Sequence, residues 1–130
     1  YEKHPEISAV MGARPPNVMA FAVTDTAFDP RTIPESYIML RSVRKESFES
    51  VYNSQDDLGG IAEKFSPQMP VLICENDQVI ATGSSLLNVF DRMEVAEATA
   101  RSIIAAKDIG PLVKISDKEA DEINKAFNLD

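Results

Sequence analysis

One long apolar stripe, between residues 86 and 104, constrains the fold of this chain more than any other feature. Its members recur every three or four residues, which is the period of one helical face: Leu86, Val89, Phe90, Met93, Ala96, Ala100, Ile103 and Ile104. The intervening charged residues are predicted to face water: Asp91, Arg92, Glu94, Glu97 and Arg101. Ser84 or Ser85 can cap the start of this helix, and Gly110-Pro111 ends it.

Two short apolar runs directly precede the helix. Residues 71–75 (VLICE) and 79–82 (VIAT) are separated by Asn76, Asp77 and Gln78. Because Asn and Asp tolerate positive φ angles, the segment predicts a tight β-hairpin.

The first third of the chain predicts two further strands and a helix. Residues 7–13 (ISAVMGA) and 37–43 (YIMLRSV) are short and apolar or β-rich, which predicts a strand for each. Pro15-Pro16 opens a helix over residues 17–24, because proline is tolerated in a first helical turn. Residues 25–34 predict a loop.

The other segments complete an α/β pattern. Residues 46–55 predict a loop, and residues 56–65 predict a short helix that Gly59-Gly60 weakens. The sequence from Ser116 to Glu119 is a capping box, which starts a last helix to about Phe127. The hairpin implies that the sheet of this α/β fold is not purely parallel.

The charge of the chain excludes two classes of partner. With 13 basic and 21 acidic residues among 130, the net charge is −8, which argues against a nucleic acid or an anionic membrane. Only one local cationic cluster occurs, and we interpret it as a solvated strand end rather than a phosphate-facing patch: Arg41, Arg44 and Lys45.

Length and cysteine content favour one cytoplasmic domain. The 130 residues match the usual size of a single domain, and the only cysteine, Cys74, cannot form an internal disulfide. We therefore expect a reducing, cytoplasmic compartment. We expect no signal peptide, because the N-terminus lacks a basic region followed by an apolar stretch, and no apolar run approaches the ~20 residues that span a bilayer. It begins at Tyr1 rather than at methionine, which leads us to expect the later portion of a longer protein.

Few residues have the chemistry of a catalytic or metal site. The single histidine, His4, excludes a two- or three-histidine zinc site from this chain alone, and we expect it to be an exposed terminal residue. Neither a Walker A motif nor G-x-G-x-x-G occurs. Cys74 lies in an apolar run, which is typical of a buried and inert thiol.

Two polar positions remain as candidates. Arg14 follows a strand and precedes a helix, a position typical of anion sites, and a structural ion pair explains it equally well. Glu75, Asn76 and Asp77 at the hairpin tip could bind a ligand or a hard cation through oxygen. Tight turns also favour Asn and Asp for backbone reasons alone.

Several segments resemble the class II aldolase/adducin family, in order and at compatible spacing. Residues 4–16 (HPEISAVMGARPP) resemble a family segment that typically reads HP-(D/E)-V-x-A-V-V-H-T-H-P-P. Residues 72–83 (LICENDQVIATG) resemble the family hairpin L-L-x-N-H-G-V-V-A-V-G, and residues 85–101 resemble the helix after it. Residues 32–40 (TIPESYIML) resemble sugar-phosphate aldolase-like members. The resemblance covers nearly the whole chain.

The resemblance implies a three-layer α/β/α fold around a mixed, mostly antiparallel sheet, in one domain over residues 1–130. Many members are tetramers, and the enzymes cleave or rearrange sugar phosphates with a divalent metal, usually zinc, that three histidines hold. The corresponding positions here are Gly12, Arg14 and Asp77, and only Asn76 of the N-H-G motif is retained. The resemblance therefore implies that this chain by itself holds no zinc or other metal cofactor. The family's phosphate loops and acid/base glutamate lie upstream of residues 4–16.

Two hypotheses follow. In the first, the domain binds a small sugar phosphate through Arg14 and Asn76, or packs against another aldolase-like domain or within a homo-oligomer. In the second, it is an active carbohydrate-phosphate lyase or isomerase that residues outside this chain complete. Asp77 would then be the catalytic base and Arg14 would stabilise an enolate. An accessible pocket with Arg14 and Asp77 in hydrogen-bonding reach favours the second, and a coincidental resemblance predicts no pairing of residues 7–13 with the hairpin.

Overall fold

The computed structural model describes residues 1–52 and 59–129, which form four strands and six helices. The strands are β1 (Ala9–Ala13), β2 (Val43–Glu46), β3 (Val71–Cys74) and β4 (Gln78–Gly83). The helices are α1 (Pro16–Ala22), α2 (Pro34–Leu40), α3 (Phe48–Tyr52), α4 (Gly59–Ala62), α5 (Leu86–Ala106) and α6 (Asp117–Phe127). No helix within the described residues is both long enough and apolar enough to cross a membrane.

The predicted hairpin forms the centre of a four-stranded sheet with the order β1-β4-β3-β2. Strand β1 pairs antiparallel with β4, from Ala9 opposite Gly83 to Ala13 opposite Val79. Strand β2 pairs parallel with β3, and Val43 lies opposite Val71. The sheet is therefore mixed and mostly antiparallel, as predicted, and the pairing of β1 with the hairpin contradicts a coincidental resemblance.

Helices cover both faces of this sheet. On one face, α1 and α5 pack over strand residues that are almost fully buried: Val71, Ile73, Val79 and Ala81. On the other face, Leu72 and Cys74 are buried beneath Phe65, with Val51 of α3 and Ile61 of α4 beside them. The α/β/α arrangement that the resemblance implies is thus present.

The long helix α5 forms as the apolar stripe predicted, except that part of the stripe is exposed. Ser85 caps it by accepting a hydrogen bond from the Asn88 N–H. The middle of the stripe is buried, whereas Leu86, Phe90 and Ile104 are 68%, 49% and 40% exposed. Leu86 and Ile104 are the two ends of the stripe, and Phe90 lies one helical turn after Leu86.

Two charged residues of α5 that were predicted to face water instead bind the rest of the fold. Arg92 is half-buried and donates hydrogen bonds to the backbone oxygens of Met39 and Thr82. Glu97 accepts hydrogen bonds from the backbone N–H groups of Asn17 and Val18, at 3.0–3.1 Å. Because Pro15 offers no side-chain cap, Glu97 satisfies the exposed donors at the start of α1.

The strand predicted over residues 37–43 is wrong. Its first part belongs to α2, which begins with Pro34 at the first helical position and buries Ser36, Tyr37 and Leu40 on one side. The Ser36 hydroxyl shares a 2.5 Å hydrogen bond with that of Thr99 on α5, which docks the helix. Strand β2 begins only at Val43.

Of three other sequence predictions, two are adjusted and one is confirmed. The predicted loop over 46–55 contains the short helix α3, and the helix predicted over 56–65 is confined in the described part to α4. Residues 53–55 of the loop prediction and residues 56–58 of the helix prediction lie outside the described residues. The capping box is confirmed, because Ser116 and Glu119 exchange side-chain-to-backbone hydrogen bonds at the start of α6.

Candidate functional site

The tip of the β3–β4 hairpin is fixed in position by backbone hydrogen bonds. Asn76 adopts a left-handed conformation with φ 58°, which asparagine tolerates better than most residues. Its N–H donates to the Ala22 oxygen at the end of α1, and the Glu75 N–H donates to the Glu46 oxygen at the end of β2. The hairpin tip is therefore tied to both neighbouring elements. The Asn76 side chain itself is exposed.

Arg14 and Asp77 meet at this tip, within the hydrogen-bonding reach that the second hypothesis specified. Arg14 directly follows β1, whose pairing with β4 carries it to the turn. Its Nε donates to the Asp77 backbone oxygen and its Nη2 to Asp77 Oδ1, both at 2.8 Å. The Arg14 side chain is 68% exposed and that of Asp77 is 18% exposed. Arg14 and Asp77 thus form an ion pair in which the arginine side chain is largely exposed to solvent.

Tyr52 and Gln78 complete a polar cluster around Asp77. The Tyr52 hydroxyl donates a hydrogen bond to Asp77 Oδ2, and Gln78 Nε2 lies 3.4 Å from that hydroxyl oxygen. Hydrogen bonds from Tyr52, and then from Arg14, hold the pKa of Asp77 below its ordinary value. Asp77 is therefore a carboxylate at neutral pH, with both oxygens engaged.

Gly12 lies on the same side of the sheet and is covered by Gln78. A Cβ at Gly12 would lie 2.6 Å from Gln78 Oε1, which is too close. The Gln78 side chain can therefore occupy this position only because residue 12 is a glycine. Of the three positions that the family resemblance singled out, Arg14 and Asp77 are therefore in direct contact, and Gly12 lies against Gln78, the residue after Asp77. Sequence reasoning named these positions but missed Tyr52 and Gln78. Gln78 carried one signal, because it follows Asp77 and begins a strand.

A second polar cluster, also missed by sequence reasoning, lies on this face of the sheet. Glu46 is only 8% exposed and accepts a 2.7 Å hydrogen bond from Lys64 Nζ and another from the Ser50 hydroxyl. Arg44 forms an ion pair with the same carboxylate. Burial raises the pKa of Glu46, but these hydrogen bonds and cations outweigh it and leave the pKa lowered.

Cys74 is fully buried on this face, as the sequence predicted. Burial, followed by the nearby carboxylates of Asp77 and Glu46, raises the pKa of its thiol to about 11. The thiol is therefore protonated at neutral pH, which gives it little nucleophilic character.

The remaining candidates are separated. Arg41 lies in a different cavity, Arg44 pairs with Glu46, and Lys45 Nζ donates to backbone oxygens after α1. The predicted cationic cluster therefore does not form. His4 is less exposed than predicted, because its side chain is 19% exposed and its Nε2 donates to the Ala62 oxygen at 2.7 Å.

Metal-binding groups are sparse in this region. Over residues 1–52 and 59–129, no three His, Cys, Asp or Glu side chains lie close enough together to hold a metal ion. At the hairpin tip, Asp77 is the one acidic side chain among the three positions that the resemblance singled out.

Comparison with known proteins shows a shared fold without close sequence relatives. No protein-family profile and no curated protein sequence matches this chain. Among solved structures, L-fuculose 1-phosphate aldolase from Glaciozyma antarctica matches with a TM-score of 0.75 and 18% identity, over 96% of this chain and 46% of that chain. A further L-fuculose 1-phosphate aldolase structure matches with a TM-score of 0.71 and 20% identity, over 98% and 59% of the two chains.

A third solved structure with a similar fold is described only by its superfamily. An aldolase II superfamily protein from Pseudomonas syringae matches with a TM-score of 0.71 and 17% identity, over 95% of this chain and 50% of that chain. The chain therefore spans about half the length of these structures, and over nearly all of its own length it has their fold.

Proposed function

We propose that this chain, which has the class II aldolase fold, binds a small sugar phosphate at the Arg14–Asp77 ion pair and holds no zinc site of its own. The observation that carries the proposal is the fixed, open guanidinium of Arg14 beside Asp77. The named neighbours act on L-fuculose 1-phosphate, so phosphorylated ketoses are the first ligand class to test.

The three positions that the resemblance assigns to metal ligands do not fit a divalent cation. Gly12 has no side chain, and Arg14 places a positive charge at the site. The two Asp77 carboxylate oxygens already accept hydrogen bonds from Arg14 and Tyr52. A zinc ion would require displacement of both donors and would still lack ligands, because zinc sites use three or four protein groups.

Arg14 has the properties of an anion-binding residue. The hydrogen bonds that Arg14 donates to the backbone oxygen and to the carboxylate of Asp77 use two of its five N–H donors. They also fix the plane of the guanidinium group. Because the Arg14 side chain is exposed, the other N–H donors of its guanidinium group can form paired hydrogen bonds to a phosphate. Because the chain has a net charge of −8 and repels anions overall, an anionic ligand would need a local cation such as Arg14 to attract it.

Catalysis by Asp77 is the second candidate, and the cluster of Arg14, Tyr52 and Asp77 is what favours it. A cation and a hydroxyl group both contact one carboxylate there, which a lyase or isomerase could use with residues outside this chain. The lowered pKa of Asp77 weakens this alternative, because such a carboxylate is a poor general base near neutral pH.

Calorimetric titration of the chain with L-fuculose 1-phosphate tests the proposal, alongside elemental analysis for bound metal. We expect one-to-one binding without stoichiometric zinc and without cleavage. Arg14→Gln should weaken binding by about tenfold or more, because it removes a charged hydrogen-bond donor. Arg14→Lys should retain part of the affinity.

Arg101→Gln is the matched control, since Arg101 is exposed on α5 and its loss changes the net charge equally. It should leave binding unchanged. Stoichiometric zinc, or metal-dependent release of aldehyde products, would overturn the proposal in favour of the lyase. Equal weakening by Arg14→Gln and Arg101→Gln would show that only overall charge matters.

A further inference from the structure

A second cationic site lies at the opposite end of the sheet from the hairpin tip. Strands β2 and β3 run parallel, so Ser42 before β2 and Pro70 before β3 mark one end, and Asp77 after β3 marks the other. Beside Ser42 is a cavity of about 410 Å³ whose lining includes Arg31, Arg41 and Lys114. Among the residues that the structure describes, Asp29 is the one acidic member of that lining. Arg31 also forms an ion pair with the exposed Asp117, which lies outside the lining, so the lining itself carries three cations and one carboxylate.

Two of these cations converge on one aromatic ring. The guanidinium carbons of Arg31 and Arg41 lie 5.7 Å and 5.4 Å from the centroid of the Tyr37 ring, within the range of cation–π contacts. Tyr37 is buried and its hydroxyl donates to Asn124 Oδ1 at 3.0 Å. The ring therefore fixes two like charges on a rigid support.

Arg41 is also held in an uncommon backbone conformation. Its φ of 56° and ψ of −102° lie outside the regions that a residue with a Cβ ordinarily adopts. Its side chain donates to Asn124 Oδ1 and to the Leu129 oxygen, so its guanidinium is anchored to the end of α6. Strained residues with fixed side chains concentrate at ligand-binding sites.

The third cation faces a carboxylate that a ligand could displace. Lys114 Nζ lies 2.7 Å from Asp29 Oδ2, and the Lys114 side chain is 54% exposed. Burial raises the pKa of Asp29, but hydrogen bonds from Lys114 and from the Arg31 backbone outweigh it, so Asp29 is charged at neutral pH. Asp29 therefore occupies the position that an anion would take beside Lys114.

We infer that this cavity binds the phosphate group of a small molecule between Arg31, Arg41 and Lys114. Guanidinium groups pair with phosphate oxygens through two parallel hydrogen bonds, and a lysine adds a mobile point charge. The volume of about 410 Å³ suits a compact phosphorylated metabolite rather than a macromolecule. This site is independent of the Arg14–Asp77 pair and stands whether or not that pair binds a sugar phosphate.

Amide NMR of the labelled chain, titrated at constant ionic strength with inorganic phosphate and separately with glycerol 3-phosphate, tests the inference. Ser42 and Ile115 line the cavity, and their amide signals should shift in a saturable manner. Tighter binding of glycerol 3-phosphate would support an organic phosphate as ligand, and equal binding would support recognition of the phosphate group alone. Equal shifts with added chloride would overturn the inference.

Three variants give opposite expectations that misfolding cannot imitate. Lys114→Gln should weaken phosphate binding by roughly three- to tenfold, because it removes one charge. Asp29→Asn should tighten binding by a similar factor, since it removes the competing charge while its amide oxygen can still accept from the Arg31 N–H. Lys118→Gln, an exposed residue of α6 outside the lining, is the matched control and should have no effect.

The variants also separate this site from the hairpin tip. Arg14→Gln should leave the Ser42 and Ile115 shifts unchanged. If Arg14→Gln abolishes these shifts, or if Asp29→Asn leaves phosphate affinity unchanged, the inference is wrong.

Discussion

The two faces of the central sheet are built by the same strands but have different roles. On the face beneath α5, Ile73, Val79 and Ala81 are fully buried among other apolar side chains. On the opposite face, the alternate residues of the same strands include Gln78 at the Asp77 cluster and Cys74, which lies near the carboxylate of Glu46. Alternation along a strand thus lets one face supply stability while the other holds charged groups.

The largest expected effect is on the apolar face. Ile73→Ala should lower the free energy of unfolding by about 2–5 kcal/mol, because it leaves a cavity in a fully buried site. Ile80→Ala is the matched control on the other face, where Ile80 is only partly buried, and should cost less. Urea unfolding of both variants measures the difference. Equal losses in the free energy of unfolding would contradict the greater contribution of the apolar face to stability.

The next effect concerns the buried carboxylate on the charged face. Glu46→Gln should destabilise the chain by about 1–3 kcal/mol, because Lys64 and Arg44 lose their counter-charge in a partly buried setting. Urea unfolding at pH 7 measures it. Glu49→Gln on the exposed side of α3 is a control that should change stability little.

The same residue predicts a pH dependence. The pKa of Glu46 is lower in the folded chain than its ordinary value of 4.5, so the unfolded chain binds its proton more readily. Its contribution to stability is therefore complete above pH 4.5 and is lost as the pH falls through the folded pKa. Unfolding curves between pH 7 and pH 3 should converge for wild type and Glu46→Gln. A constant difference at all pH values would contradict this assignment.

A smaller effect is expected at the Arg14–Asp77 pair. Asp77→Asn should change the free energy of unfolding by at most about 1 kcal/mol, because ion pairs with an exposed partner are weak. Ligand affinity should respond more than stability does. A large loss of stability would show that this pair is structural rather than a binding site.

The smallest effect is expected at Cys74. At pH 8 a thiol with a pKa of about 11 is roughly 0.1% thiolate, and Cys74 is also fully buried. The folded chain should therefore react negligibly with a thiol reagent such as dithionitrobenzoate, whereas the chain in urea should react fully. Rapid reaction of the folded chain would show that this face opens readily.

Elements with strong local signals were predictable from the sequence. The hairpin, α5 and α6 each combine a clear apolar period with a turn or cap, and Asn76, Ser85 and Ser116 fulfil those roles. Helix α2 was missed because the short run from Tyr37 to Val43 suits a strand as well as a helix. Burial against α5, through Ser36 and Leu40, decides between them.

Partners of charged residues were not predictable, because periodicity records polarity and not contacts. Arg92 and Glu97 lie on the polar side of the α5 pattern, yet both bind backbone groups of other elements. One signal for Glu97 was present, since Pro15-Pro16 starts a helix without any capping side chain. Arg14 and Asp77 were candidates from their positions at a strand end and a hairpin tip, and the resemblance linked them. The cavity beside Tyr37 instead assembles residues too distant in sequence to suggest one another.

The central position of the hairpin has a consequence for folding kinetics. Strands β3 and β4 are adjacent in sequence, so their pairing closes a very short loop at little entropic cost. Strand β1 must join from the far end of the chain, and parallel β2 must join across α3 and α4. We expect the hairpin to act as an early template on which the two outer strands assemble later, so both polar sites mature only in the last stages of folding.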